Sequence, residues 1–308
     1  MKKRSFEMQL SQNGLVKGFI YEPENAKANI LICHGMAEHI ERYNDFADFL
    51  ASKGYMVVGY DQRGHKQSVA SKDDIGYMSD IDNFQILVSD VFEIIKKIKD
   101  SKPNLPIYLF GHSMGSFVAQ KYIQEYGTTI DGVILSGSNL NKGIKNYFGY
   151  IFARLIRFIR GRRHRSKLIH RLSFGSFNKK FAPNRTDFDW LTRDEKEVDN
   201  YVEDEYCGQI FTVSFYHDLV KGFIKINHNF DVVPNDLPIY IISGAKDPVG
   251  NFSKGPKNLY NKFKEVGNVN TELKIYPDAR HVLLNEINKE EVYQDIYSWL
   301  EKTFKTNV

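Results

Sequence analysis

One pentapeptide constrains this chain more than any other feature. Gly111-His112-Ser113-Met114-Gly115 follows the apolar run Ile107–Phe110 and precedes a helical pattern over 114–126. A chain that passes from strand to helix across so few residues must turn sharply. Small residues two before and two after Ser113 let it do so without steric clash. The turn lifts the serine hydroxyl above the carboxyl end of the strand, and it aims the Met114 amide at the same point. An ordinary glycine-flanked strand–helix turn is the plain alternative.

The rest of the chain supplies a sheet for that strand. Ile30–Cys33, Tyr55–Val58, Val133–Leu135 and Ile239–Ile242 are short runs of continuous apolarity like Ile107–Phe110. Such runs suit parallel strands covered on both faces. Leu273–Tyr276 reads as a sixth strand nearer an edge, and 5–12 with 16–22 as an N-terminal hairpin turning near Asn13-Gly14. Phe84, Leu87, Val88, Val91, Ile95 and Ile98 share one helical face, with Asp80 and Asp82 as candidate caps. The helix over 114–126 is expected to stop at Gly127. A final helix carries Val292, Ile296, Trp299 and Leu300, opened by a capping-box pattern from Asn288 to Glu291. Strands alternating with helices argue for a doubly wound α/β sheet. The alternation breaks between about 140 and 235, which reads as a mostly helical insertion. The domain expectation is therefore a core of 1–139 and 236–308, interrupted by 140–235.

A serine hydroxyl needs a base to become a nucleophile. On a sheet of this kind the order along the chain is serine, acid, histidine. Nine histidines are present. His281 follows the last strand across Pro277-Asp278-Ala279-Arg280 and is the candidate base. His34, His39, His65 and His112 come too early. His164, His170, His217 and His228 lie in the insertion. Asp247 ends the preceding strand and is the candidate acid, which would hold the His281 tautomer. Asp278 and Asp236 are weaker alternatives. A second oxyanion donor should come from the loop after an early strand. There His34-Gly35-Met36-Ala37-Glu38-His39 offers the Met36 amide opposite that of Met114.

These motifs together resemble the monoacylglycerol lipases and bacterial lysophospholipases. The resemblance rests on His34–His39 with Arg42-Tyr43, on Asp61-Gln62-Arg63-Gly64-His65-Lys66-Gln67-Ser68, on the elbow Gly111–Gly115, and on Ser243-Gly244 through Asp247-Pro248-Val249 followed by Arg280-His281. It spans about residues 10–303. It implies an α/β-hydrolase fold, a Ser113–His281–Asp247 triad, oxyanion donors at Met36 and Met114, and a cap at 140–235. It implies a carboxylic-ester hydrolase acting on monoacylglycerol- or lysophospholipid-like substrates, without metal or organic cofactor. One departure is Lys66, where the family usually has glycine. A lysine there is expected to hold the backbone in ordinary φ/ψ space. A peptidase or small-ester esterase on the same triad, and a ligand-binding protein on a hydrolase scaffold, stay open as alternatives.

Charge and cysteine content narrow the setting. Net charge is +4. The stretch 142–180 holds twelve Lys and Arg and no Asp or Glu, which leaves 30 basic against 38 acidic residues elsewhere. Within it Phe148, Ile151, Phe152, Leu155 and Ile159 share one helical face, and Arg154, Arg157 and Arg160 another. Two readings follow: a cap helix packing its apolar side on the core, or a basic amphipathic helix lying on an anionic membrane. No recognition motif accompanies the basic patch, so nucleic acid is not an expected partner. Cys33 and Cys207 sit in no CxxC or metal-type cluster, which favours a reducing, cytoplasmic location. No apolar run reaches the roughly 18 residues of a membrane span, and the basic start lacks the apolar stretch of a signal peptide. Oligomeric state is not written in these patterns.

Overall fold

Continuous apolar runs become inner strands because both their faces must be covered. The computed structural model describes residues 1–140 and 144–307, so Lys142 of the basic stretch lies outside it. Eight strands form one sheet: β1 Lys2–Leu10, β2 Gly14–Glu22, β3 Ala28–Cys33, β4 Tyr55–Tyr60, β5 Ile107–His112, β6 Gly132–Ser136, β7 Ile239–Gly244 and β8 Thr271–Tyr276. Their order is β1-β2-β4-β3-β5-β6-β7-β8. The N-terminal hairpin pairs antiparallel and joins the sheet antiparallel at β4, and every later pairing is parallel. Strands β3 to β7 are buried along their whole length, whereas the edge strand β8 is half-buried.

The helices are α1 Asn44–Ser52, α2 Asn83–Ser101, α3 Met114–Tyr126, α4 Ile144–Arg160, α5 Lys167–Phe174, α6 Glu195–Glu203, α7 Val213–Ile226, α8 Lys254–Glu265 and α9 Lys289–Asn307. Two apolar cores flank the sheet. One holds the inward stripes of α2, α3 and α8, among them Leu87, Val91, Val118, Tyr122 and Phe263. The other holds α1 and α9 through Phe46, Leu50, Ile296 and Leu300. Asp82 caps α2 by accepting from the Gln85 amide. Helices α4 to α7 all fall between β6 and β7, and among its described residues that stretch adds no strand to the sheet.

Two local expectations need correction, and a third holds by other means. Helix α3 stops at Gly127 as expected, with that residue in right-handed conformation at φ −56° and running on into a 3-10 turn. Its lack of a side chain serves packing instead: a Cβ there would sit 2.6 Å from Pro234 Cδ. Asn288 meets Glu291 side chain to side chain, because its Oδ1 is taken by Arg193. The apolar residues of α4 do not share one packed face. Ala153 is buried, with Phe152 and Ile156 half-buried, while Phe148, Ile151, Leu155, Phe158 and Ile159 face outward. Arg157 turns inward to Asp218 and His217.

The topology marks where a site belongs. From β3 the chain moves first to β4 on one side, then to β5 on the other. Ligands of open α/β sheets bind outside the carboxyl ends of strands at such a switch point. Both Met36 and Ser113 lie there, just beyond β3 and β5.

Candidate active site

Ser113 is the single residue between β5 and α3, at φ 49° and ψ −116°. A non-glycine residue in this region stores roughly 1–3 kcal/mol of strain, and it persists only where its surroundings over-determine it. They do so here. The Ser113 amide donates to Ser136 O at 2.9 Å, and its carbonyl accepts from Ser116 N at 2.9 Å and Ser116 Oγ at 2.6 Å. The two elbow glycines are steric requirements. A Cβ on Gly111 would lie 2.5 Å from Gly115 O, and one on Gly115 would lie 2.1 Å from Cys33 O.

His281 and Asp247 come together as buried partners. His281 Nδ1 lies 3.0 Å from Asp247 Oδ2, and the two residues are 2% and 0% exposed. A carboxylate accepts, so Nδ1 carries the proton and Nε2 keeps its lone pair. Asp247 is held by its own turn: Oδ1 accepts from the Val249 amide at 2.8 Å. Asp278 and Asp236 are exposed loop residues. The His281 ring packs between His112, 4.8 Å away, and Trp190, 5.2 Å away.

Trp190 belongs to a stretch, residues 189–193, that packs against the loop of His281. The Leu191 carbonyl accepts from Val282 N at 2.7 Å, and the Arg280 guanidinium reaches the carbonyls of Asp189 and Thr192. Buried Glu286 accepts from Arg280 N and Arg193 Nε, both at 2.7 Å. Residues 189–193 therefore brace the loop that carries His281. Their signal was a local run of Trp, Asp and Arg with no periodicity, which points to no partner.

The loop after β3 is held just as closely. His34 Nε2 accepts from Gln62 N at 2.9 Å, so Nδ1 donates to Gly35 O at 2.7 Å. Burial pushes its pKa down, which keeps this neutral form. Glu38 Oε1 accepts from Gly35 N at 2.5 Å and Tyr43 Oη at 2.7 Å, and Oε2 lies 3.3 Å from Arg42 Nε. Burial opposes ionisation of Glu38, but its interactions with His112 and the Arg42 guanidinium, with the Tyr43 hydrogen bond, outweigh it and hold the carboxyl at about 2. Among the described residues, the Met36 and Met114 amides have no hydrogen-bond partner. Both residues line one cavity with Ser113, His112 and His281.

The 61–68 loop braces this arrangement from below. Asp61 accepts from Ile40 N at 2.9 Å and Gln67 N at 3.2 Å. Lys66 adopts φ 30°, so its side chain does not hold the backbone in ordinary space as expected. Its ammonium group bonds Glu41 at 2.5 Å, which ties that loop to the 3-10 turn Ile40–Tyr43 ahead of α1. His65 is buried against His34 and Phe211 and pushed down to about 3 by burial. His112 is pushed down to about 4 by burial and by His281.

The cavity measures about 940 Å³, within the range of small-molecule sites. Its walls are mostly apolar: Phe117 from α3, Phe152 and Ala153 from α4, Ile169 and Phe174 from α5, and Leu219, Val220 and Phe223 from α7. His170 reaches the wall, which its position in the insertion alone did not reveal. One group away from the cavity has metal-ligand chemistry. Donor atoms of His39, Asp204 and Cys207 lie within 4.8 Å of one another. His39 Nε2 and Asp204 Oδ2 are already 2.7 Å apart, however. Two ligands of a tetrahedral zinc ion stand about 3.3 Å apart. Lys66 Nζ also lies 3.5 Å from His39 Nδ1, so Nε2 carries the proton that Asp204 accepts. The group is a hydrogen-bonded contact between the insertion and the β3 loop.

Comparison with known proteins gives the family and the fold. The family model described as "Serine aminopeptidase, S33" matches residues 24–288. Monoglyceride lipase of Mus musculus is 26% identical over 279 residues, covering 89% of this chain and 82% of its own. Monoacylglycerol lipase of Mycolicibacterium smegmatis is 24% identical, covering 88% and 87%. Among solved structures, a thermostable carboxyl esterase from Bacillus coagulans in complex with glycerol superposes with a TM-score of 0.91 at 23% identity, covering 99% of each chain. A soluble variant of the Saccharomyces cerevisiae monoglyceride lipase gives 0.74 at 20% identity, covering 98% and 95%. The fold is the α/β-hydrolase fold, and the chain belongs to the S33 family of serine hydrolases.

Proposed function

We propose that the chain hydrolyses monoacyl lipid esters of the monoacylglycerol or lysophospholipid type through a Ser113–His281–Asp247 triad. The observation that carries this reading is the buried His281–Asp247 pair opening onto the same apolar cavity as Ser113. Ser113 Oγ attacks the ester carbonyl carbon while His281 Nε2 takes its proton. The carbonyl π pair moves to oxygen, and the Met36 and Met114 amides stabilise that charge. The tetrahedral species collapses, the C–O bond to the alcohol breaks, and His281 returns the proton to the departing oxygen. Water, deprotonated by His281, then attacks the acyl-enzyme, and the carboxylic acid leaves with Ser113 restored. No cofactor enters these steps.

The substrate class is supported by the aromatic and aliphatic walls, which match an acyl chain, and by relatives named monoglyceride lipase. Residues 140–235 act as a cap, since α4, α5 and α7 furnish those walls. The chemistry is tested with a graded acyl ester series, monoacylglycerols, lysophosphatidylcholine and an aminoacyl amide, on wild type and Ser113→Ala. Medium or long monoacyl lipids should be favoured and Ser113→Ala should be inactive. Serine-dependent turnover confined to short esters, or a preference for amides, would overturn the substrate assignment.

The cap also presents a lipid-facing surface in this reading. Phe148, Ile151, Leu155, Phe158 and Ile159 are 53–89% exposed along one side of α4. Arg154, Arg160, Lys167 and Arg171 have no acidic partner among the described residues. No helix among those residues is long and apolar enough to cross a membrane. An apolar stripe beside unpaired cations suits peripheral contact with an anionic, cytoplasmic leaflet. Wild type should co-sediment with phosphatidylglycerol vesicles, and Leu155→Asp/Phe158→Asp should stay in the supernatant with its melting temperature unchanged. Equal sedimentation of both proteins would refute the contact.

A further inference from the structure

The second oxyanion donor is built partly by the cap. The Met36 amide lies between two anchored points. On its upstream side the core holds the chain, because Glu38 Oε1 accepts from Gly35 N at 2.5 Å. On its downstream side the cap holds it. The Ala37 carbonyl accepts from Tyr201 Oη at 2.8 Å and from Gly208 N at 3.0 Å. Gly208 N also lies 3.1 Å from Tyr201 Oη, so the three groups form one closed contact. His39 adds a third tie through Asp204 at 2.7 Å.

Ala37 shows why the downstream anchor matters. Its φ is 57°, a left-handed conformation that an alanine does not hold unaided. Without the cap bonds, the peptide between Ala37 and Glu38 would relax toward ordinary φ, and the Met36 N–H would swing from its aim. Tyr201 is well placed to prevent this. It is buried, with its ring against Phe188 at 5.0 Å and under the Arg42 guanidinium at 5.1 Å.

We infer that Tyr201 is a positioning residue for ester hydrolysis: through the Ala37 carbonyl it fixes the Met36 amide, so the oxyanion hole is complete only with segment 201–208 docked. The inference rests on the triad chemistry proposed above. Misplacing a catalytic group by about 1 Å costs up to about 100-fold, and loss of a whole oxyanion donor costs about 100- to 1,000-fold. Since Gly208 still holds Ala37 after the hydroxyl is removed, the expected loss is smaller, about tenfold.

The test compares wild type, Tyr201→Phe, Tyr206→Phe and Ser113→Ala on p-nitrophenyl butyrate. It adds inhibition by an alkyl trifluoromethyl ketone, whose hemiketal oxygen occupies the oxyanion hole, and by the matching alkyl alcohol, which does not. Tyr201→Phe should lower kcat about tenfold with KM within about twofold. It should weaken the ketone by a similar factor and leave the alcohol unchanged. Tyr206→Phe, in the same segment without a bond to Ala37, should behave as wild type. Unchanged kcat and ketone affinity in Tyr201→Phe would overturn the inference, as would equal losses for ketone and alcohol. A wild type that lacks turnover abolished by Ser113→Ala would instead overturn the triad reading itself, and this inference with it.

Discussion

At the residue scale the account turns on a few side chains in fixed protonation states. Asp247 accepts from His281 Nδ1, and in the proposed mechanism it balances the imidazolium that forms during attack. Asp247→Asn keeps the shape but offers a donor in place of an acceptor, which favours the wrong tautomer. The variant should lose about 10⁴-fold in kcat while its melting temperature stays near that of wild type. Steady-state ester kinetics with thermal denaturation check this, and a loss below tenfold would remove Asp247 from the triad. The candidate triad was legible in the sequence because the proposed chemistry restricts residue type and chain order, and the structure brings His281 and Asp247 together. Gly111 and Gly115 were legible because only glycine fits where Gly115 meets Cys33 O. Trp190 and Tyr201 were not. They act through packing and single hydrogen bonds made across long stretches of chain, and no local pattern encodes such a partner.

At the element scale the same divide appears. Strands β3 to β7 were readable because burial on both faces leaves unbroken apolar runs. Helix α2 was readable from its stripe and its Asp82 cap. Asp82 also bonds Lys221 at 2.8 Å and Lys225 at 3.0 Å, so it ties the start of α2 to α7 of the cap. Asp82→Ala should therefore destabilise the protein by about 1–2 kcal/mol, mostly from the lost cap, since half-exposed ion pairs add little. Urea denaturation measures this, and a change under about 0.3 kcal/mol would contradict it. Helix α4 was readable as amphipathic but not in its orientation. Periodicity reports that a face is apolar, and it is silent on what covers that face. The structure leaves most of the stripe exposed and turns Arg157 inward onto Asp218.

At the scale of the whole molecule, the buried titratable groups near the site couple stability to pH. His65 is pushed down to about 3 and His112 to about 4, both mainly by burial. Unfolded, each titrates near about 6.5. Below that pH the unfolded chain binds protons that the folded state refuses, so stability present above about pH 6.5 is lost as pH falls. Glu38, held at about 2, acts in the same direction below about pH 4.5. Burial raises the Asp90 carboxyl to about 7, which works in the opposite sense between pH 7 and pH 5, so the direct check is an NMR titration of the two rings: both should stay neutral at about pH 5, and protonation of either at that pH would contradict their neutral burial. The central claim is that Ser113 forms the acyl-enzyme. Its most direct test is mass spectrometry of protein quenched with acid during turnover of a p-nitrophenyl ester. The account predicts the acyl mass on the peptide that contains Ser113, and its absence from Ser113→Ala. An acyl adduct on another residue, or steady turnover by Ser113→Ala, would contradict it.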